Sequence, residues 1–305
     1  MLRWTPRIAL ALAAAVVSAA CGAQAPSAAH PTSTPVANIE SSPSPAPSAS
    51  PETSPIASPT PSHVFVIVME NRSYSQAIEG GYTARLAAAY GAATNYHGVT
   101  HPSLPNYLAM TSGSTYDIAD DGYHVLPAGG LGAQLTHAGI SWRAYMEGMS
   151  AGCYNSPYPY ALKHNPFAYY GGVCPSQVVN FSRFARDMAA GPARFVWITP
   201  GLCNDGHDCS TAVADAWLAR TVPTILATSA WKEGGLLFIT WDEGEDAANS
   251  VLTLVIRPDM TVHRSARAYS HYNLLATIED ELGLPRLGAA GRAAAMNDLV
   301  PGANR

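Results

Sequence analysis

The sequence predicts an α/β fold with a mostly parallel sheet and helices on both faces. Apolar runs of six or seven residues, rich in β-branched and aromatic side chains, stand at 63–69 (HVFVIVM) and 235–241 (GLLFITW). Such runs are what strands buried on both faces look like. From residue 63 onward, strand-like and helix-like segments alternate, which implies parallel strands joined by crossover helices. Each of the two apolar runs ends in a pair of oxygen-bearing side chains, Glu70-Asn71 and Asp242-Glu243. Open α/β sheets bind ligands at the carboxyl ends of their strands. Three carboxylates and an amide at one rim repel unless something positive sits among them, and a bound metal ion is the simplest answer.

The elements follow in order. Residues 1–21 have Arg3 and Arg7, an apolar stretch over 8–17 and the small residues Ser18, Ala19 and Ala20 before Cys21, the pattern of an export signal too short for a stable membrane span. Two endings stay open: a lipidated Cys21, although Ser18 stands where a lipobox usually has Leu, or cleavage after Ala20 or Ala25 with no lipid. The lipoprotein form is adopted because residues 22–62 are almost entirely Pro, Ser, Ala and Thr. Such a segment forms no core and acts as an extended spacer, holding a domain off a membrane or wall. Residues 63–305 are expected to be one domain with a large core.

Within it, helices are expected over 82–90 (YTARLAAAY), from near Pro105 through 107–110, and over 131–138, followed by a short strand at 141–145. The stretch 147–175, rich in Gly, Tyr, Pro and Asn, reads as a long irregular insertion. Its tyrosines are read as packing, with lining of a pocket as the alternative. Then come a helix over 181–190, a strand over 194–199, a helix over 212–229, strands over 236–241 and 251–256, and a helix over 272–282. No internal repeat is visible.

Net charge is −5 and no basic stripe occurs, which argues against nucleic acid as a bound partner. Beyond Cys21 there are four cysteines, Cys153, Cys174, Cys203 and Cys209. Export makes disulfides their expected fate. Of the three possible pairings, Cys153 with Cys174 and Cys203 with Cys209 is expected, since each pair closes a single loop. The competing zinc site lacks a repeated C-x-x-C spacing.

Chemistry collects in the turns after the strands. Ser103 sits two residues before Pro105, which can occupy a first helical position. By composition alone such a serine is an N-cap; its functional reading is a nucleophile at a helix N-terminus, with Asn106 one turn on to hold an anionic oxygen.

Five segments in order, MENRSY (69–74), THPSLPNY (100–107), KHNPF (163–167), ITP with NDGHD (198–208) and TWDEG (240–244), resemble the phosphoesterase family. That family includes bacterial phosphatidylcholine-type phospholipases C and acid phosphatases, within the alkaline-phosphatase-like superfamily. The resemblance implies an alkaline-phosphatase-like fold with one divalent metal ion held by Glu70, Asn71, Asp242 and Glu243. Ser103 takes the nucleophile's position, SLPN being similar to the TFPN of related phosphodiesterases, and Asn106 bonds a phosphoryl oxygen. His207 and His271 resemble positions near the phosphate, either of which would protonate the leaving group. Lys163 and His164 resemble substrate-side groups. Each has a plainer alternative: Glu70 as a helix-start carboxylate, Asp205 and Asp208 as loop caps, His271 as a cap or packing residue, Lys163 as a solvated loop charge, His101 as a shaper of its turn. His97, His124, His137 and His263 have no supporting neighbours.

The expected activity is extracytoplasmic, metal-dependent hydrolysis of a small phosphate ester through a phosphoserine on Ser103. Superfamily members with two metals use more Asp and His ligands, so Asn71 and Glu243 fit a single-metal site. Oxygen-rich ligands suit calcium, magnesium or manganese, and a histidine would admit zinc or iron. Nothing after Leu284 resembles the extra C-terminal domains of the phospholipase branch, which favours an acid-phosphatase-like monoesterase over a phospholipase C-like diesterase. A surface protein that binds phosphorylated wall polymers without catalysis is the alternative from another class. A sulfatase-like esterase lacks its signature around a modified Cys or Ser. A membrane enters only through the lipid anchor; oligomeric state is undetermined.

Overall fold

The computed structural model describes residues 63–261 and 263–300; the export signal expected over 1–21 and the spacer over 22–62 lie outside the described residues. In chain order the elements are β1 (Val64–Met69), α1 (Tyr74–Ala77), α2 (Gly81–Ala89), β2 (Gly91–His97), α3 (Ser103–Ser112), α4 (Gly130–His137), β3 (Trp142–Met146), α5 (Gly152–Asn155), β4 (Val178–Asn180), α6 (Phe184–Ala190), β5 (Phe195–Thr199), α7 (Thr211–Leu226), α8 (Ser229–Lys232), β6 (Leu236–Trp241), β7 (Ser250–Ile256), β8 (His263–Ser265), β9 (Tyr269–Ser270) and α9 (His271–Leu282). They form one sheet in the order β4-β3-β5-β1-β6-β7-β2-β8, with β9 also on β2. Pairings are parallel except those of β7 with β6 and β2, so β7 alone among the described strands runs against the rest.

The apolar runs do what their composition requires. Every residue of β1, β5 and β6 is buried, since β1 lies mid-sheet between the other two and continuous apolar sequence is stable only with both faces covered. Helix α3 is buried along all ten residues, which explains its small and apolar sequence SLPNYLAMTS. It ends at Gly113 in the left-handed conformation (φ 69°), and a Cβ there would also strike the Leu287 carbonyl. Glycine is needed at that position on both counts.

Departures from expectation have local causes. Helix α3 begins at Ser103, not near Pro105, so the proline sits in the first turn, where its missing N–H is no loss. No strand is expected at 91–97, because GAATNYH has no apolar run; β2 is held there by β7 on one side and by β8 and β9 on the other, with Ala92, Ala93 and Tyr96 in the core. The long helix expected over 212–229 breaks after Leu226, where Thr228 caps α8 by accepting the Trp231 N–H. Both expected disulfides, Cys153–Cys174 and Cys203–Cys209, are formed. The first ties down the irregular insertion, whose Tyr160, Tyr169 and Tyr170 are buried while Tyr154 and Tyr158 are exposed. No helix among the described residues is long and apolar enough to cross a membrane.

Opening the Cys153–Cys174 bridge, which spans 21 residues, removes a constraint on the unfolded chain. Replacing both cysteines by alanine is expected to lower the unfolding free energy by about 2–4 kcal/mol. Urea denaturation followed by tryptophan fluorescence measures this, and an unchanged midpoint would contradict it.

Candidate active site

Strand register brings the two strand-end pairs together. Met69 of β1 lies opposite Trp241 of β6, and the Asp242 N–H donates to the Met69 carbonyl at 3.0 Å. Glu70 and Asp242 therefore leave the same rim side by side. Carboxylate oxygens of Glu70, Asp242 and Glu243 lie within 4.8 Å of one another, and all three residues are buried. Asn71 takes the left-handed conformation (φ 52°), which Asn tolerates better than most residues. Its N–H donates to Asp242 Oδ1 at 3.3 Å, and the Glu243 N–H donates to the same oxygen at 2.7 Å.

Ser103, at the start of α3, points into this group. Its hydroxyl donates to Glu70 Oε1 at 2.5 Å and lies 3.5 Å from Glu243 Oε1. Lys163 Nζ donates to Ser103 Oγ at 3.2 Å, to Asp121 Oδ2 at 2.9 Å and to His207 Nε2 at 3.3 Å. With Nε2 accepting, the His207 Nδ1–H donates to Asp208 Oδ1 at 2.7 Å. Lys163 and His207 are thus brought to Ser103 from two separate segments.

Three expected roles need correction. Asn106 has no capacity left for a phosphoryl oxygen: Oδ1 accepts the Val99 and Thr100 N–H groups at 2.8 and 3.1 Å, and Nδ2 donates to the Thr100 and Pro102 carbonyls at 2.7 and 3.2 Å. It shapes the turn that delivers Ser103. His164 is not on the substrate side but buried, with Nε2 2.7 Å from Glu70 Oε1, Nδ1 3.3 Å from Asp205 Oδ2 and its ring stacked on Tyr107 at 5.0 Å. His271 is buried behind the site, where Nε2–H donates to the Asp242 carbonyl at 2.5 Å and Nδ1 accepts from the Tyr96 hydroxyl at 3.1 Å. Burial, only partly offset by that carbonyl, lowers its pKa to about 4; the ring stays neutral and supports Asp242 instead of moving a proton.

Other groups were hidden from sequence reasoning. His101 Nδ1–H donates to Glu243 Oε2 at 2.6 Å, beyond shaping its turn. Asp205 is both a loop cap, its Oδ1 accepting the His207 N–H at 2.8 Å, and the partner of His164. Asp121 accepts the Leu104 N–H at 3.0 Å as well as Lys163; it lies in a loop whose sequence has no motif, so nothing short of the fold would have found it.

The electrostatics ask for positive charge. Burial raises Glu70 to about 8; Asp205 adds to this, while Asp242, Ser103 and Lys163 oppose it. Burial and then the charges of Glu70 and Glu243 hold Asp242 well above the carboxylate range, and burial raises Glu243 against the pull of His101. Lys163 is held up, because Glu70 and Asp121 outweigh its burial. Glu70 Oε2 and Asp242 Oδ2 are buried without a hydrogen-bond partner, and buried acceptors of that kind are rare and costly. A hard divalent cation takes carboxylate oxygens, so the donor set and the two orphaned oxygens fit one.

A model of the Phosphoesterase family matches residues 79–285. The phosphatidylinositol-3-phosphatase of Mycobacterium tuberculosis is 33% identical over 253 residues, covering 79% of this chain and 83% of that protein. The phosphate-repressible acid phosphatase of Penicillium chrysogenum is 29% identical over 243 residues, and there the chain spans only 59% of the relative's length. Among solved structures, a protein of the alkaline phosphatase superfamily from Vibrio parahaemolyticus superposes with a TM-score of 0.56 at 10% identity, over 79% of this chain and 72% of that one. Phosphonate monoester hydrolase of Agrobacterium radiobacter gives 0.54 at 12%, over 78% and 77%. At these identities the likeness is one of fold. The chain belongs to the Phosphoesterase family, has the alkaline-phosphatase-like fold, and is a hydrolase of phosphoric ester bonds.

The raised carboxylates give a signed pH dependence. A carboxyl at about 8 when folded, against 4.5 ordinarily, leaves the native state holding more protons than the unfolded state between those values. Stability of the cation-free protein therefore falls as pH rises through that window. Thermal melts in chelator are expected to show this fall, and added divalent cation is expected to stabilise more at about pH 8 than at about pH 5. A cation effect of equal size at both pH values would contradict it.

Proposed function

We propose that this chain is an extracytoplasmic, metal-dependent phosphomonoesterase of acid-phosphatase type that works through a phosphoserine on Ser103. The observation that carries the reading is the seating of one hydroxyl, Ser103 Oγ, between a buried carboxylate trio and the Lys163 ammonium. The phosphatase names of the relatives support the monoester class. The expected export signal and the two disulfides support action outside the cytoplasm.

A divalent cation held by Glu70, Asp242 and Glu243, with Asn71 at the same strand end, would supply Lewis acidity toward the hydroxyl and the phosphoryl oxygens. The protein's own groups do the rest. Ser103 Oγ attacks phosphorus in line with the leaving oxygen, and its proton passes along the existing hydrogen bond to Glu70 Oε1. Lys163 meets charge on the phosphoryl oxygens. His207 stands beside Lys163 on the partly open side of the site; in its protonated form, with Nε2 released from Lys163 and Nδ1–H still on Asp208, it gives the Nε2 proton to the leaving oxygen and returns to the neutral ring. Water then hydrolyses the phosphoserine. His101, His164, Asn106 and His271 fix the carboxylates and the turn.

Ser103→Ala is expected to lower kcat/KM for p-nitrophenyl phosphate on the order of 10³-fold or more, with its divalent-cation content and melting unchanged. Retained activity in that variant removes the phosphoserine. His207→Ala is expected to slow an alkyl phosphate by about 10²-fold and p-nitrophenyl phosphate far less, since nitrophenolate leaves without a proton. Equal losses on both esters would take the acid role away from His207.

A further inference from the structure

Asp121 lies in the loop joining α3 to α4, and its carboxylate faces the nucleophile. Oδ1 accepts the N–H of Leu104, the residue after Ser103, at 3.0 Å, and Oδ2 accepts from Lys163 Nζ at 2.9 Å. Lys163 Nζ is itself 3.2 Å from Ser103 Oγ. The two donors that flank the nucleophile are therefore spanned by a single carboxylate. A phosphoryl group reaching Ser103 brings its non-bridging oxygens to the same two donors, because one backbone N–H at a helix start and one ammonium are a natural anion seat. Asp121 and the substrate cannot both use them.

We propose that Asp121 is a gating and specificity-determining residue, its carboxylate occupying the seat of the phosphoryl group until substrate displaces it. Displacing Asp121 asks only for rotation of its side chain, on a turn that lies outside the core and is held there by the Tyr123 ring against Tyr154 and Tyr169 at 5.4 and 5.3 Å. Residues 119–123 are exposed, and Asp120 closes the turn on itself by accepting the Gly122 N–H at 2.7 Å and bonding His124 at 2.7 Å. Beyond it, Leu126 is fixed by bonds with Tyr169 and Gly171. Once displaced, Asp121 stays close to the bound phosphoryl group and repels it. The site then gives up affinity for free phosphate, the product, and spares turnover from product inhibition. A role in merely positioning Lys163 would have the opposite signature, since its loss would weaken phosphate binding.

The inference rests on the phosphatase reading, and inorganic phosphate is the probe that separates the two. Its dissociation constant by calorimetry and its inhibition constant against p-nitrophenyl phosphate are compared in wild type, Asp121→Asn and Asp121→Ala, each checked for wild-type melting. Both variants are expected to bind phosphate about tenfold more tightly, with KM falling in parallel; one folded variant suffices if the other does not fold. Phosphate binding that is unchanged or weaker in a folded variant of an active enzyme overturns the gate alone. A wild-type protein that neither binds phosphate nor hydrolyses the ester overturns the phosphatase reading and the gate with it.

Discussion

Because Met69 pairs with Trp241 across two parallel strands buried on both faces, Glu70 and Asp242 have no choice but to emerge together. A slip of one residue in that register would send one of them to the opposite face of the sheet. The apolar runs that make such a slip costly are thus also what assemble the acidic rim. Burial then turns proximity into chemistry. In a low dielectric the trio of carboxylates repels strongly, and two of its oxygens have no hydrogen-bond partner.

What surrounds the trio is a set of buried supports, each fixing one direction. Tyr96 holds His271, and His271 holds the Asp242 carbonyl. Tyr107 stacks on His164, which stands between Glu70 and Asp205. Asn106 spends all its hydrogen bonds on the turn before Ser103. Under the proposed function the groups left to meet a substrate are Ser103, Lys163 and His207, drawn from one buried helix start and two further segments. A preorganised centre of this kind needs rigid support from neighbours that never touch substrate, and here that support comes from residues spread across the whole sheet.

Much of this was legible in the sequence. The two apolar runs and their terminal acidic pairs located the central strands and the rim where Glu70, Asp242 and Glu243 meet, because period and composition speak directly about burial. Cysteine spacing sufficed for both disulfides. The family resemblance placed Ser103 and Lys163 near one another, which no local pattern does. Strand β2 escaped notice because Gly91, Ala92 and Ala93 carry no β signal and are held by neighbours distant in sequence. The surroundings of Asn106, His164 and His271 differ from expectation for a related reason: a residue type announces that it can bond or titrate, but only the fold says which protein groups it meets. Asp121, whose two partners lie 17 and 42 residues away, shows the same limit from the other side.

The central claim is that the strand-end carboxylates form one cation site against Ser103. Crystals grown with manganese, with anomalous differences recorded at its absorption edge, test it most directly. A single strong peak bonded to Glu70, Asp242 and Glu243 and adjacent to Ser103 Oγ is expected. No peak there, or a peak on other residues with this trio left bare, would contradict it.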